Sequence, residues 1–229
     1  MEKGHFAMKT IFRLDASIRK DGSVTRAIAD TFESTLVAEL DDPAVLRREV
    51  GLTPLPSTAW ADSAFAGYTP EDLRSDAQKQ AQALASELAD ELVKADAFVF
   101  AIPLYNFGVS QHAKIWLDIL LTDPRFGPGA PKLLAGRPAF LITAKGGGYG
   151  VGTPRHGWDH STSWLMRILV DVLGLKVELI ESELTLADVT PAMAGLRDLA
   201  AQNLQNAHGA ASEHGKRLAS ELGIAAAAE

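Results

Sequence analysis

Pro103-Leu104-Tyr105-Asn106-Phe107-Gly108 stands directly behind the apolar run Ala97-Phe98-Val99-Phe100-Ala101-Ile102. A run that short, rich in Phe and Val and stopped by Pro, predicts a buried strand. Its carboxyl end then combines two aromatic faces, an amide and free backbone N–H groups. In an open parallel sheet, ligands gather at the carboxyl ends of strands. The tip therefore has one of two roles. It is a platform for a planar heteroaromatic ring, or a strand-to-helix turn whose aromatics cap the core.

Two further segments carry chemistry. Ser17, and six residues later Ser23-Val24-Thr25, follow a first predicted strand at residues 10–14. Hydroxyls beside unpaired N–H groups at the positive end of a helix suit a phosphate, while the plainer role of Ser23 or Thr25 is an N-cap. Neither a GxGxxG fingerprint nor a Walker A sequence is present, so a phosphate here is held by hydroxyls and amides rather than by a glycine cradle. Thr143-Ala144-Lys145-Gly146-Gly147-Gly148-Tyr149-Gly150 follows another predicted strand, residues 139–143. Its glycines let the backbone approach a ligand and aim N–H groups at a polar edge, with Lys145 placing charge near the electron-rich end of a reduced ring. The alternative is a loop of small residues kept for mobility. His112, His156 and His160 form no metal-ligand pattern, there is no HExxH, and no metal is expected. Trp116 and Trp164 lie on apolar helical faces and predict core or dimer contacts.

These segments need a scaffold, and the hydrophobic pattern supplies one. The strand at 10–14 leads through a polar loop, 15–22, to a helix with Ile28, Phe32, Leu36 and Leu40 at four-residue spacing. Residues 45–50 predict an edge strand, because Arg47, Arg48 and Glu49 interrupt it. Residues 53–70, with Pro54, Pro56, Trp60, Phe65 and Tyr68, predict a long irregular functional loop. A helix is expected to open at Thr69-Pro70-Glu71 and bury Leu73, Ala77, Leu84, Leu88 and Leu92. The strand at 97–102 precedes a helix marked by Ile115, Trp116, Ile119 and Leu120, and a Pro/Gly loop spans 123–137. After the strand at 139–143 come a helix from Trp164 to Gly174, a strand at 176–180 and a helical remainder. Strand and helix alternate five times, which predicts an α/β fold with a parallel sheet, right-handed crossovers and helices on both faces. Five strands fit the flavodoxin-like doubly wound order 2-1-3-4-5, with the ligand site between strands one and three. The loops after strands one, three and four then meet on one edge.

Composition bounds the rest. The chain has 229 residues, 47% hydrophobic and 22% charged, enough for one domain, placed at residues 8–222. Residues 1–7 are expected to be an N-terminal extension, and 223–229 a fraying C-terminal tail. A net charge of −7 without a Lys/Arg cluster argues against nucleic acid. The absence of cysteine excludes disulfides, thiolate metal sites, iron–sulfur clusters and a Cys nucleophile. No apolar run approaches the roughly 20 residues of a membrane span, and no signal peptide is visible, so a soluble cytoplasmic protein without a membrane partner is expected.

The three motifs resemble those of the FMN-dependent NADH-azoreductase family, flavodoxin-like dimeric flavoenzymes that also reduce quinones. The resemblance spans nearly all of residues 8–222. Ser17 with Ser23-Val24-Thr25 is similar to the family's phosphate loop, with Val24 where a polar residue is more usual. Pro103-Leu104-Tyr105-Asn106-Phe107 is similar to its Pro-Met-Tyr-Asn-Phe signature, with Leu for Met. Thr143-Ala144-Lys145-Gly146-Gly147 is similar to its Thr-(Ser/Ala)-(Arg/Lys)-Gly-Gly loop. The resemblance implies that Ser17, Ser23, Val24 and Thr25 hold the FMN phosphate, and that the 103–107 segment lines the ring. It also implies that Ala144 to Gly147 bond the pyrimidine edge, with Lys145 favouring the anionic hydroquinone. NADH or NADPH would give hydride to flavin N5 in a ping-pong cycle, and a quinone or azo compound would then take two electrons. The chemistry would lie on FMN N5, and no side chain stands out as a general acid, although His156 and Tyr149 lie in the right loop region. The family's long aromatic loop, which reaches the flavin from the partner subunit, is shortened here to 123–129 with one aromatic, Phe126. Phe126 and Tyr149 are therefore the candidate substrate or dimer contacts. An NAD(P)H:FMN reductase and a flavodoxin-type electron carrier are the neighbouring readings, and a binding module for a non-flavin ligand is a third.

Overall fold

The computed structural model describes residues 8–40 and 43–227, with side chains to Gly223. The extension expected at 1–7 lies outside the described residues. In chain order the elements begin β1 (Thr10–Asp15), α1 (Val24–Glu39), β2 (Ala44–Glu49), α2 (Ala59–Ala66), α3 (Asp76–Lys94) and β3 (Ala97–Ala101). A small hairpin, β4 (Leu104–Tyr105) and β5 (Gly108–Val109), follows, then α4 (Gln111–Leu120), β6 (Pro138–Ala144) and α5 (Thr162–Met166). β7 (Lys176–Ser182) and the long α6 (Arg197–Ala227) complete the chain. Residues 223–227, expected as a loose tail, continue the backbone of α6.

The main sheet has the order β2-β1-β3-β6-β7, and every pairing in it is parallel. Counting only its own strands, that is the expected 2-1-3-4-5. The inner strands β1, β3 and β6 are buried on both faces, and alternate residues feed two cores. Phe12, Leu14, Phe98, Phe100 and Leu141 pack toward α3, α4 and α5, with Leu88, Leu92, Trp116 and Leu165. Ile11, Val99, Phe140, Ile142 and Ile180 pack toward α1 and α6, with Ile28, Phe32, Ala211 and Leu218. Trp116 is a core residue, stacked on Phe12 with ring centroids 5.9 Å apart. Trp164 is half-buried beneath the ammonium of Lys114.

Two sequence expectations are corrected. The segment 53–70 is not irregular throughout, because Ala59, Ser63 and Ala66 form a small buried stripe on which α2 folds. The following helix does not start at Pro70. Only one tight turn forms there, Glu71–Leu73, and Leu73 is 69% exposed. α3 starts behind Ser75, whose hydroxyl accepts from Gln78 N–H while the Gln78 amide accepts from Ser75 N–H. This reciprocal cap satisfies two orphan donors and outweighs the proline signal. The buried stripe is Ala81, Ala85, Leu88, Ala89 and Leu92, and Ala77 faces solvent. Past α5 the helix widens over Arg167–Val172, where Leu173 N–H bonds Ile168 C=O five residues back, and it stops at Gly174 with φ 80°.

Among the described residues no helix is long and apolar enough to cross a membrane.

Candidate functional site

β1, β3 and β6 end side by side, and the loops leaving them enclose a cleft of about 270 Å³. Ser17, Arg19, Gly22, Ser23, Val24 and Thr25 line one end; Pro103, Leu104, Tyr105, Ala144 and Gly146 line the other, with Thr185 and Leu186. Nine residues expected from sequence therefore meet in one cavity.

The hydroxyl end is built by α1. Ser23 is its N-cap and accepts from Arg26 N–H at 3.4 Å. The first-turn N–H groups of Val24 and Thr25 have no helical acceptor, so hydroxyl and amide donors and the positive helix end converge. Ser23 thus performs the N-cap role that sequence offered, and it also borders the cavity. The preceding loop is held from below. Arg26 ion-pairs with Glu49, donates to Ser17 C=O at 2.8 Å and to Arg19 C=O at 3.2 Å. Glu49 accepts from the N–H groups of Gly51 and Leu52. The guanidinium outweighs the cost of burying Glu49, whose carboxyl is held below its ordinary value.

The tip after β3 is a two-residue hairpin, with Tyr105 opposite Gly108. Asn106 and Phe107 both have positive φ, 49° and 66°, as a type I′ turn requires. Gly is the usual second residue there, so Phe107 stores backbone strain. Tyr105 turns inward, its hydroxyl 3.2 Å from Ser17 Oγ and accepting from Ile18 N–H at 3.2 Å. It bridges the strand tip to the hydroxyl loop. Ser110 fixes the base of the hairpin by donating to Ala16 C=O. Asn106 and Phe107 themselves stand outside the cavity lining, at its rim. The Phe107 ring meets Trp158 edge-on at 5.3 Å and Tyr149 at 6.4 Å. We expect Phe107→Gly to keep or raise stability, by up to about 1 kcal/mol, because it removes the strain of an αL aromatic. Acceptor turnover falls in the same variant, since the exposed ring is lost. Urea denaturation beside steady-state rates checks both halves.

The glycine loop is backed by the chain after β7. Leu184, Thr185 and Leu186 donate to the carbonyls of Gly147, Lys145 and Gly146. The loop is therefore a fixed ribbon, not a mobile one. A Cβ on Gly146 would stand 2.7 Å from Leu186 Cδ1. Thr143, buried, does not border the cavity, and Gly147 sits behind its lining.

Lys145 departs from expectation. Strand alternation turns it away from Ala144 and the cavity, and it is 5% exposed. Its ammonium lies 2.7 Å from Glu181, 3.0 Å from Asp159 and 3.7 Å from Glu183. Burial opposes that charge, but the hydrogen bonds to Glu181 and Asp159 outweigh burial and hold Lys145 above its ordinary value of 10.5. It offers no free charge to a reduced ring; it ties β6, β7 and the loop before α5 together. Asp159 in turn caps α5 through Ser161 N–H and Thr162 N–H. Burial pushes its carboxyl up, but Thr162 and Lys145 outweigh this and keep it below 3.8. Lys145→Met should cost about 1–3 kcal/mol, less than a fully buried pair because the carboxylates are partly solvated. A raised lysine stabilises below 10.5 and ceases to as pH rises through its folded value. A depressed Asp159 stabilises above 3.8 and ceases to as pH falls through its folded value. The gap between wild type and variant is thus widest at neutral pH and narrows at both extremes, which urea denaturation across pH measures.

Phe126 does not reach this cleft. α4 runs back across the sheet, and the ring lies in the core beside α4, 8% exposed. It borders a second cavity, of about 590 Å³, with Arg125, Pro128, Lys132, Val172 and Leu173. That cavity is where the chain enters β6 and β7, the opposite edge of the sheet. The ion pairs of Arg125 with Asp123 and Asp90 pin the loop there.

Sequence reading missed Arg19, Gly22, Thr185 and Leu186 in the lining, Arg26 and Gly51 beneath it, and Trp158 at the rim. Thr185 and Leu186 follow a fifth strand whose carboxyl end shares the edge, so the rule that found the other loops covers them too. Gly51 carried no signal, since its neighbour Ser17 is distant in sequence.

Comparison with known proteins places these features. The description "flavodoxin-like fold" belongs to the family whose profile matches residues 9–208. An FMN-dependent NADH:quinone oxidoreductase of Frankia alni is 36% identical over 194 residues, covering 84% of this chain and 92% of that one. One from Streptomyces avermitilis is 33% identical over 213 residues, covering 93% and 98%. Among solved structures, an azoreductase from Bacillus anthracis superposes with a TM-score of 0.74 at 17% identity, over 92% of this chain and all of that one (100%). An FMN-dependent NADH-azoreductase from the same organism, in complex with FMN, gives 0.73 at 18% identity over 92% of this chain and 100% of that one. At those identities the structural likeness speaks for the fold.

Proposed function

The chain belongs to the flavodoxin-like fold family, among relatives named FMN-dependent NADH:quinone oxidoreductases, and from that premise we propose that it is an FMN-dependent oxidoreductase that passes electrons from NADH to quinones and azo compounds. The observation that carries the reading is the two-ended cleft. A phosphate fits where Ser17, Ser23, Thr25 and the first turn of α1 converge. A flat ring fits against Pro103, Leu104, Tyr105 and Ala144. The Gly146 backbone borders the space for the polar edge of such a ring, and a Cβ there would have to push aside the Leu186 side chain, which also lines the cleft.

When bound, FMN supplies the redox chemistry, taking a hydride equivalent from NADH and delivering two electrons to the acceptor. The protein's part is placement. α1 neutralises and anchors the phosphate; Tyr105 ties the ring platform to that anchor; Arg26 keeps the anchor in register with β2. Val24 contributes its N–H and an apolar side chain. Asn106 and Phe107 bound the entrance through which donor and acceptor arrive in turn. Retention of the flavin across turnover separates this reading from an NAD(P)H:FMN reductase, and direct bleaching by NADH separates it from an electron carrier.

The active unit is a homodimer in this reading. One chain leaves the cleft open on its outer side, and Trp60, Phe65 and Tyr68, on and just after α2, are exposed aromatics suited to a partner's surface. Phe126, sealed at the far edge, plays no part in closing its own chain's cleft.

The test is direct. Protein reconstituted with FMN and gel-filtered should stay yellow, bleach with NADH and recover its colour with a quinone. Sedimentation should give twice the chain mass. Failure of NADH to bleach bound flavin overturns the activity, and full activity from a strict monomer overturns the dimer.

A further inference from the structure

At the rim of the cleft lies a cation that the site does not use. Arg155 stands over the Phe107 ring, its guanidinium carbon 5.9 Å from the centroid. Gly147 makes room for it, since a Cβ there would lie 2.7 Å from Arg155 Nη1. Phe107 is 37% and Trp158 51% exposed, so two aromatic surfaces border the same spot. Arg155 makes no salt bridge among the described residues, and the neighbouring carboxylates are engaged. Lys145 holds Asp159, Glu181 and Glu183, and Glu183 also accepts from Tyr149 N–H. The segment is fixed rather than loose. Trp158 N–H donates to Arg155 C=O, and His160 N–H donates to Phe107 C=O.

We propose that Arg155, Phe107 and Trp158 form an acceptor subsite selective for planar aromatics bearing an anionic group, a carboxylate or a sulfonate. The inference rests on the quinone- and azo-reducing activity argued above and specifies which acceptors that site prefers. A guanidinium presents a rigid fork that matches the oxygens of such groups, while the aromatic surfaces take the ring. The preference must be local, because the net charge of −7 repels anions over the rest of the surface. Arg19, also exposed, lines the phosphate end instead.

The test compares naphthoquinone sulfonate with uncharged methylnaphthoquinone on FMN-loaded wild type, Arg155→Gln, Arg155→Lys and Arg155→Glu. The ratio of kcat/KM for the sulfonate to that for the neutral quinone should fall about five- to tenfold in Arg155→Gln, the scale of one exposed charge contact. Arg155→Glu should lower it further, and Arg155→Lys should fall between wild type and Arg155→Gln. The effect should shrink with added salt. Reduction by NADH, followed alone by stopped flow, should change much less than the sulfonate step. A binding readout needs no turnover. Naphthalene sulfonate should quench tryptophan fluorescence of the FMN-free chain, and Arg155→Gln should weaken that titration by a similar factor.

An unchanged acceptor ratio in both Arg155→Gln and Arg155→Glu overturns the inference. So does an equal loss for both quinones, or a loss confined to NADH reduction. Wild type that NADH cannot reduce overturns the proposed activity instead, and the fluorescence titration still judges the subsite.

Discussion

Replacing Gly51 by Ala lowers stability by about 2–4 kcal/mol and weakens FMN binding at least ~tenfold, as expected for overpacking against an immovable neighbour. The added Cβ would stand 2.0 Å from Ser17 C=O oxygen, 2.5 Å from its carbon and 2.9 Å from Ala16 C. All three are backbone atoms, so no rotamer relieves the clash. Either the end of β2 moves, breaking the bonds from Gly51 N–H to Asp15 C=O and to Glu49, or the Ser17 loop moves. The second outcome displaces the carbonyl that Arg26 holds and the hydroxyl beside Tyr105. Both cleft ends suffer, because Tyr105 joins them. Gly209→Ala is the control. It lies exposed in α6 with nothing within 4 Å of a new Cβ, and should gain about 0.5–1 kcal/mol from helix propensity. Urea denaturation and FMN titration of both variants decide the matter. Wild-type affinity in Gly51→Ala would show that the Ser17 loop does not set the phosphate end.

What sequence disclosed and what it hid divide along a physical line. The sheet order and the three principal loops were legible because alternation of apolar strands with amphipathic helices is a local, repeated signal. Ser23 as an N-cap and Tyr105 at the strand tip were legible for the same reason, each depending on its own short segment. Lys145 was misread because a glycine-rich neighbourhood suggests an open ligand loop. The decisive fact was instead the meeting of Asp159, Glu181 and Glu183 around the ammonium. The place of Phe126 was not legible, because composition says nothing of which sheet edge α4 delivers it to. The proline signal puts the helix start at Pro70, although Ser75 and Gln78 carry the Ser-x-x-Gln spacing of a capping box, a local signal that the proline masks. For Lys145 and Phe126 long-range packing, not local propensity, decided the outcome; for the start of α3 a local cap did.

Ala144→Leu tests the other end of the cleft with the opposite profile, loss of cofactor with little loss of fold. Ala144 is the last residue of β6, pairs with Ser182 and borders the cavity beside Leu104 and Gly146. Residues on its far side belong to the packed cores, but its methyl faces the cleft. A Leu side chain therefore extends into open space rather than into packed atoms, and the sheet keeps its register. A cleft of about 270 Å³ has little volume to surrender before a tricyclic ring is excluded. FMN affinity should fall roughly ten- to a hundredfold, the scale of about 1–3 kcal/mol of overpacking, and NADH-dependent quinone reduction should fall with it at limiting FMN. Stability without FMN should stay within about 0.5 kcal/mol of wild type, as for a substitution outside the packed core. The purified variant should be colourless while retaining the wild-type circular dichroism spectrum. Unimpaired flavin binding in Ala144→Leu would place the ring elsewhere. A folded, colourless variant, set beside the destabilised Gly51→Ala, would separate the surface that the ring occupies from the scaffold that holds the phosphate loop.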